Sequence, residues 1–342
     1  RPLKILIGGP SWVGDMVMAQ SLFTTLKRLH PLCEIDVLAP AWSGVLLDHM
    51  PEINCHIEMT VGHGELGLSK RWTIARTLKR VGYDQAIVLP NSFKSALIPK
   101  LAGIPLRIGW RGEARGWLLN DCRVLDKITY PLMVERFVAL AFAENADLPD
   151  SLIRPMLSVH REQSNSALDK LSLTTAKPIL ALCPGAEFGE AKKWPASSYA
   201  VVAKNWMNSG GQVWIFGSEN DKRDAYKIRS IIPSDIADNC HDLTGKTSLG
   251  EVIDLMANVD HVVSNDSGLM HIAAALARPL VVIYGSTSPA FTPPLADKVN
   301  ILSLNLDCSP CFKRTCPLGH TNCLNQLVPD QVIQAMDETQ SI

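Results

Sequence analysis

Short apolar runs, each closed by glycine, proline, serine or aspartate and followed by apolar residues at helical spacing, recur along this chain. That alternation constrains the fold more than any other feature. Consecutive strands separated by helices pair in parallel through right-handed crossovers, so a mainly parallel sheet is expected. The first run, 3–8, ends in Gly8-Gly9-Pro10, and 16–30 follows with Met16, Ala19, Leu22, Phe23, Leu26 and Leu29 on one helical stripe. Further strands are predicted over 35–39 and 86–89, and helices over 42–50 and 133–146. A second cycle predicts strands over 178–183, 213–216, 261–264 and 280–284. Its helices are predicted over 197–209, 221–232, 249–258 and 268–277. Between the cycles, 148–175 loosens into Pro149, Pro155 and polar residues, which reads as an interdomain connection.

A length of 342 residues suits two domains. The expected architecture is α/β: a Rossmann-like domain over 1–160 and a second over 176–325, with a C-terminal helix over 326–342 free to return to the first. Ligands of open α/β sheets sit beyond the carboxyl ends of the strands, so a cleft between the domains is expected to hold the site.

The 33 Lys and Arg against 34 Asp and Glu leave a net charge of −1, too even for a whole-molecule nucleic-acid binder. No apolar run approaches the roughly 18 residues of a spanning helix. The N-terminal run is broken at once by Gly8-Gly9-Pro10, too short for a secretory core, so cytosolic residence is expected. Five of the nine cysteines (Cys33, Cys55, Cys122, Cys183, Cys240) are scattered and read as reduced thiols. Cys308, Cys311, Cys316 and Cys323, with His320 nearby, have the ligand number of a thiolate metal site without the usual paired spacing. A structural metal, a loop of reduced thiols and a labile disulfide all fit.

The first strand–helix loop, Gly8-Gly9-Pro10-Ser11-Trp12-Val13-Gly14-Asp15, is neither a P-loop nor a dinucleotide fingerprint. Asp15 reads either as a general base or as a helix N-cap. Ser264-Asn265-Asp266-Ser267-Gly268-Leu269-Met270-His271 crosses from strand to helix and offers free N–H groups to a phosphate. His271 can join that ligand or be structural. The loop 184–195 ends in Lys192-Lys193-Trp194-Pro195, where a lysine can meet a diphosphate or simply be solvated. Gly217, Glu219 and Asp221 follow another strand, where an acidic residue can accept from a ribose or cap a turn. Between Lys70 and Lys127 stand twelve basic and four acidic residues. This +8 window suggests an anionic partner, and no nucleic-acid motif accompanies it.

Several of these segments, in order and spacing, resemble the ADP-heptose:lipopolysaccharide heptosyltransferases of glycosyltransferase family 9. They are Pro10-Ser-Trp-Val-Gly-Asp-Met16, Pro90-Asn-Ser-Phe-Lys-Ser95, Gly109-Trp-Arg-Gly112, Cys183-Pro-Gly-Ala-Glu-Phe-Gly189, Lys192-Lys-Trp-Pro195, Asn265-Asp-Ser-Gly-Leu-Met-His271 and Tyr284-Gly-Ser-Thr-Ser-Pro289. The resemblance runs from about Leu3 to the final helix. It implies a GT-B architecture, with acceptor bound by the first domain and donor by the second.

By the same resemblance, Asp15 is the general base and Lys192 the leading diphosphate contact, with Lys193 the runner-up. Pro184, Gly185, Ala186, Gly217, Glu219, Asp221, Thr247, Asp266, Ser267, Gly268, Leu269 and His271 are the remaining donor candidates. Ser11, Trp12, Gly14, Asn91, Lys94, Arg107 and Arg111 are the acceptor candidates. The implied reaction is inverting transfer of heptose from ADP-L-glycero-β-D-manno-heptose to anionic heptosyl-Kdo2-lipid A, at the cytoplasmic face of the inner membrane. No cofactor is implied, and no Asp-x-Asp metal motif is present. The rival readings are a family member acting at another heptose, a sugar-nucleotide epimerase on the same fold, and a two-domain small-ligand binding protein.

Overall fold

The first apolar run becomes β1 (Lys4–Gly8), whose central Ile5, Leu6 and Ile7 have no exposed surface. In the computed structural model, which describes residues 1–341, it begins a unit that extends from Arg1 to Pro155. The unit continues through α1 (Val13–Leu29), β2 (Glu34–Ala39), α2 (Ser43–Leu47), β3 (Cys55–Glu58), α3 (Leu68–Val81), β4 (Gln85–Val88), α4 (Phe93–Leu101), β5 (Leu106–Trp110), β6 (Asp121–Arg123) and α5 (Met133–Ala139). Its six strands are all parallel, in the order β3-β2-β1-β4-β5-β6. The inner strands are mostly apolar and their centres are buried, as a sheet covered on both faces requires, and the edge strands β3 and β6 are short and polar. Strand order reverses between β1 and β4. Loops leaving the carboxyl ends of these two strands therefore diverge and open a crevice.

A second unit begins at Met156. It comprises α6 (Arg161–Lys170), β7 (Ile179–Cys183), α7 (Ala196–Asn208), β8 (Gln212–Ile215), α8 (Lys222–Ile231), β9 (Cys240–Asp242), α9 (Leu249–Met256), β10 (His261–Asn265), α10 (Gly268–Ala275), β11 (Leu280–Ile283), β12 (Val299–Leu302), α11 (Asn322–Asn325) and α12 (Pro329–Gln340). The sheet repeats the same plan in the order β12-β11-β10-β7-β8-β9, again wholly parallel. Its switch point lies between β7 and β10. Leu180, Leu182, Val213, Ile215, Val263, Val281 and Ile283 form the core, closed by Trp194 and Tyr199 edge to face at 5.0 Å.

Three expectations change. The stretch read as a connection contains α6, which was hidden because only Ser164 and Ala167 of it are buried. It is held to α9 by polar bonds: Ser164 Oγ donates to the Asp254 carbonyl, and Lys170 pairs with Glu251. The first unit accordingly ends at Pro155 rather than at 160. Helix α12 is an element of the second unit, where it covers α7, β11 and β12 through Val332, Ala335 and Met336; its apolar stripe belongs to that core. The helix predicted to reach 146 ends at Ala139, and Asn145 beyond it is left-handed. Cationic α3 was legible only as a charge run. It is bracketed by Gly67 and Gly82, at φ 50° and 73°.

Candidate active site

In the second unit, the loops after β7, β8, β9, β10 and β11 leave the carboxyl edge of the sheet, and hydrogen bonds and ion pairs stitch them together. Asn265, at the end of β10, is the hub. Its Nδ2 donates to the Pro184 and Gly185 carbonyls (2.6 and 3.3 Å), while its Oδ1 accepts from the Tyr199 hydroxyl (2.7 Å) and the Trp194 N–H (3.1 Å). All four capacities of a fully buried amide are used. Gly185 and Gly217 both lie against the Asp221 carboxylate, where a Cβ on either would collide with it. Asp221 Oδ2 accepts from the Ser218 N–H, so this carboxylate closes its own turn; Glu219 is ion-paired to Lys222 at 2.8 Å. Gly245 N–H donates to the Gly217 carbonyl, joining the loops after β8 and β9. The Thr247 hydroxyl beyond it is buried without a hydrogen-bond partner, a group that a ligand can satisfy.

The two lysines have different surroundings. Lys192 Nζ lies 2.9 Å from Asp266 Oδ2 and 4.9 Å from the centre of the Phe188 ring. Asp266 also accepts from the Thr287 hydroxyl at 2.6 Å. Because Asp266 precedes Ser267, the N-cap of α10, the ammonium is held at the positive end of that helix. Gly268 and Leu269 form the first turn with their backbone donors free of an intrahelical partner. Lys193 instead lies between Glu190 and Asp224, each at 3.1 Å, and bonding to these carboxylates keeps its ammonium protonated despite burial. His271, in the same turn region of α10, is buried, and burial pushes its pKa down to about 4; the Lys192 charge acts in the same direction and Asp266 opposes it. It is a neutral imidazole at pH 7, able to hydrogen-bond but not to add charge.

In the first unit, Trp12 is the N-cap of α1, which makes Asp15 the third residue of the helix rather than its cap. The half-buried carboxylate stands in the first turn, within the field of the helix N-terminus. Gly14 precedes it in the helix, and Ser11 and Trp12 are exposed in the loop after β1; Trp12 retains 54% of its surface. Asn91 is exposed in the loop after β4, where Gly112 approaches its carbonyl too closely to admit a Cβ. Lys94 donates to the Gly64 carbonyl at 2.8 Å, and Arg111 is exposed just beyond β5. Arg107 is corrected. It is the second residue of β5, short of the strand's carboxyl end, and its guanidinium donates to the Leu118 and Ile104 carbonyls, so it braces the sheet.

Sequence reasoning missed Arg115, which has no exposed surface. It donates to the Pro90, Ser92 and Trp110 carbonyls and the Ser95 hydroxyl, locking the loop after β4 to the end of β5. Arg71 likewise donates to the Leu66 and Lys94 carbonyls. With Arg123, three of the twelve basic residues of the +8 window are buried and build loops rather than surface charge.

The four clustered cysteines converge. Cys308, Cys311, Cys316 and Cys323 line a single cavity together with Ser286 and His320, and none is in a disulfide.

Two Rossmann-like parallel sheets, each with its motif loops at the carboxyl edge, are the architecture of the GT-B glycosyltransferases, which the structural match below shares. The chain belongs to glycosyltransferase family 9 (heptosyltransferase), whose family model matches residues 71–322. It is 47% identical over 339 residues to lipopolysaccharide heptosyltransferase 2 of Salmonella typhimurium LT2, covering 98% of this chain and 97% of that one. It is 49% identical over 311 residues to lipooligosaccharide heptosyltransferase 2 of Haemophilus influenzae, covering 88% and 89%. Among solved structures, Escherichia coli ADP-heptose LPS heptosyltransferase II superposes with a TM-score of 0.90 at 44% identity over 98% of both chains.

Proposed function

We propose that this glycosyltransferase moves L-glycero-D-manno-heptose from ADP-heptose to the first heptose of the lipopolysaccharide inner core, with inversion. The observation that carries the reading is full-length identity near one half to proteins named heptosyltransferase 2, with the motif loops at the carboxyl edges of both sheets. Asp15 accepts the proton of an acceptor hydroxyl as its oxygen attacks the anomeric carbon from the face opposite ADP. The new C–O bond forms while the bond to the diphosphate breaks, and the electron pair leaves on ADP. The β-linked donor thus yields an α-linked product. Lys192 and the first N–H groups of α10 stabilise the charge that develops on the leaving diphosphate. That group is acidic enough to depart without a proton, so one carboxylate suffices. Pro184, Gly185, Ala186, Thr247 and neutral His271 line the donor side, and Ser11, Trp12, Asn91, Lys94 and Arg111 serve the acceptor.

The acceptor is anchored in a bilayer, and no helix among the described residues is long and apolar enough to cross one. Peripheral contact at the cytoplasmic face of the inner membrane follows from the reading. Exposed Leu68 and Trp72 beside Lys70, Arg76, Lys79 and Arg80 of α3 are suited to anionic headgroups. A mass-spectrometric assay with ADP-heptose and Kdo2-lipid A carrying no heptose or one tests the function. Transfer is expected only to the acceptor that already carries a heptose. Equal use of the heptose-free acceptor would overturn the assignment, and donor conversion with acceptor omitted would mark an epimerase.

A further inference from the structure

Residues 303–321 contain no helix or strand, and no side chain among them is buried. An irregular segment of that length needs something other than a core to fix its course. Its course matters because it abuts the loop that carries Lys192. The Arg314 carbonyl accepts from the Ala191 N–H at 3.0 Å, and the Phe312 N–H donates to the Ser286 carbonyl at 2.7 Å. Gly189, at φ 153°, leaves no room for a Cβ against the Arg314 carbonyl, and the Arg314 guanidinium lies 5.6 Å from the centre of the Phe188 ring.

The sulfurs of the segment share one place. Left-handed residues at Phe312, Gly319 and Thr321 supply sharp reversals that bring cysteines spread over 308–323 to a single cavity of about 20 Å3. That is room for one small occupant. The Thr321 N–H points at Cys316 Sγ at 3.4 Å, and the cavity wall also holds the Ser286 hydroxyl, buried without a partner. His320 is otherwise engaged, its Nδ1 accepting from the Asn322 N–H. As the side chains stand, no group of three or more His, Cys, Asp or Glu among the described residues is arranged to hold an ion. Ligation requires the thiols to turn inward onto the cavity they line.

We propose that Cys308, Cys311, Cys316 and Cys323 bind one thiophilic transition-metal ion, Zn2+ or a single iron, and that the ion fixes this segment against the Lys192 loop. Four sulfur ligands close a tetrahedral structural site with no open position. Each thiol gives its proton to solvent on binding, and Lys313 and Arg314 of the same segment offset the excess negative charge. The metal site stands on the convergence of the four cysteines on one cavity; its effect on transfer rests on the donor reading of Lys192.

Elemental analysis of untagged, freshly purified protein, with zinc and iron counted separately, tests the site without substrate. One equivalent of either metal per chain is expected, lost in Cys308→Ser and in Cys316→Ser and kept in Cys55→Ser, which alters an exposed cysteine outside the cluster. Chelated wild-type protein is expected to take up Co2+ with a thiolate-to-cobalt charge-transfer band that Cys316→Ser lacks. Wild-type protein that carries no metal and takes up no Co2+, or metal retained in both cluster variants, overturns the site. The coupling is read by ADP titration of chelated protein, expected to weaken about tenfold, the scale of one lost backbone hydrogen bond, and to recover with Zn2+. Unchanged ADP affinity overturns the coupling. A metal count of zero leaves the transferase reading intact, and failure of heptose transfer leaves the metal count intact.

Discussion

The two sheets follow one plan, yet their carboxyl edges are built in opposite ways. In the second unit the loops are bound to one another from within: Asn265 joins four groups, Asp266 holds Lys192 and Thr287, and Lys193 is fixed by two carboxylates. In the first unit the loops are braced from behind by Arg115 and Arg71, while Ser11, Trp12, Asn91 and Arg111 face outward and exposed. A diphosphate is small, rigid and always charged, and a prearranged cation and helix start stabilise it without reorganisation. A glycolipid headgroup is large and varied. Outward side chains on a braced loop suit it better than a closed cradle.

That contrast can be broken. Asp15→Asn is expected to give the largest effect, a loss of roughly a thousandfold in kcat, because it removes the proposed base and leaves its position filled. ADP binding by calorimetry should be unchanged, and a variant that kept most of its kcat would remove Asp15 from the chemistry. Lys192→Ala should cost about a hundredfold in kcat/KM and weaken ADP, with Lys193→Ala costing less because Glu190 and Asp224 already occupy that ammonium. The reverse ranking would show that the second edge is charged through Lys193.

Arg115→Ala should lower stability by about 3 kcal/mol, read as a shifted denaturation midpoint, because it strips donors from the Pro90, Ser92 and Trp110 carbonyls. Its activity loss should fall on KM for the acceptor while ADP affinity holds. A change in ADP affinity instead would mean that the two edges are not separately built.

The last prediction concerns stability against pH and leaves the contrast between the two edges untouched. His261 and His271 are each pushed by burial down to about 4 from an ordinary value near 6.5. The unfolded chain therefore binds more protons between those values, and the stability held above pH 6.5 drains away as pH falls toward 4, by about 1.4 kcal/mol per pH unit for each histidine. Urea midpoints across that range measure it, and His271→Gln should reduce the slope.

Much of this architecture is legible in the sequence. β1, β7, β10 and the loops after them announce themselves as apolar runs that stop at glycine, proline or aspartate, because parallel strands buried on both faces leave no alternation to confuse. The edge strands β3, β6 and β9 were not legible, since Cys-His-Ile-Glu, Asp-Cys-Arg and Cys-His-Asp carry no periodic apolar signal. Asn265 lay in a quoted motif, but its role depends on Tyr199 and Pro184, 66 and 81 positions away. Arg115 reads as surface charge in any one-dimensional count. Only the carbonyls that converge on it in three dimensions reveal a buried brace.

The Asn265 amide also bears on how the protein ages. Deamidation needs the Asp266 backbone nitrogen to swing onto the Asn265 side-chain carbonyl carbon, but that nitrogen donates to the Ile283 carbonyl at 3.3 Å while the amide itself is held by four partners. The folded state therefore protects an Asn-Asp step at the carboxyl edge of its second sheet. Once converted, the residue would set a carboxylate oxygen against the Pro184 carbonyl, so a chain damaged while unfolded would lose the bonds that tie the loop after β7 to the end of β10.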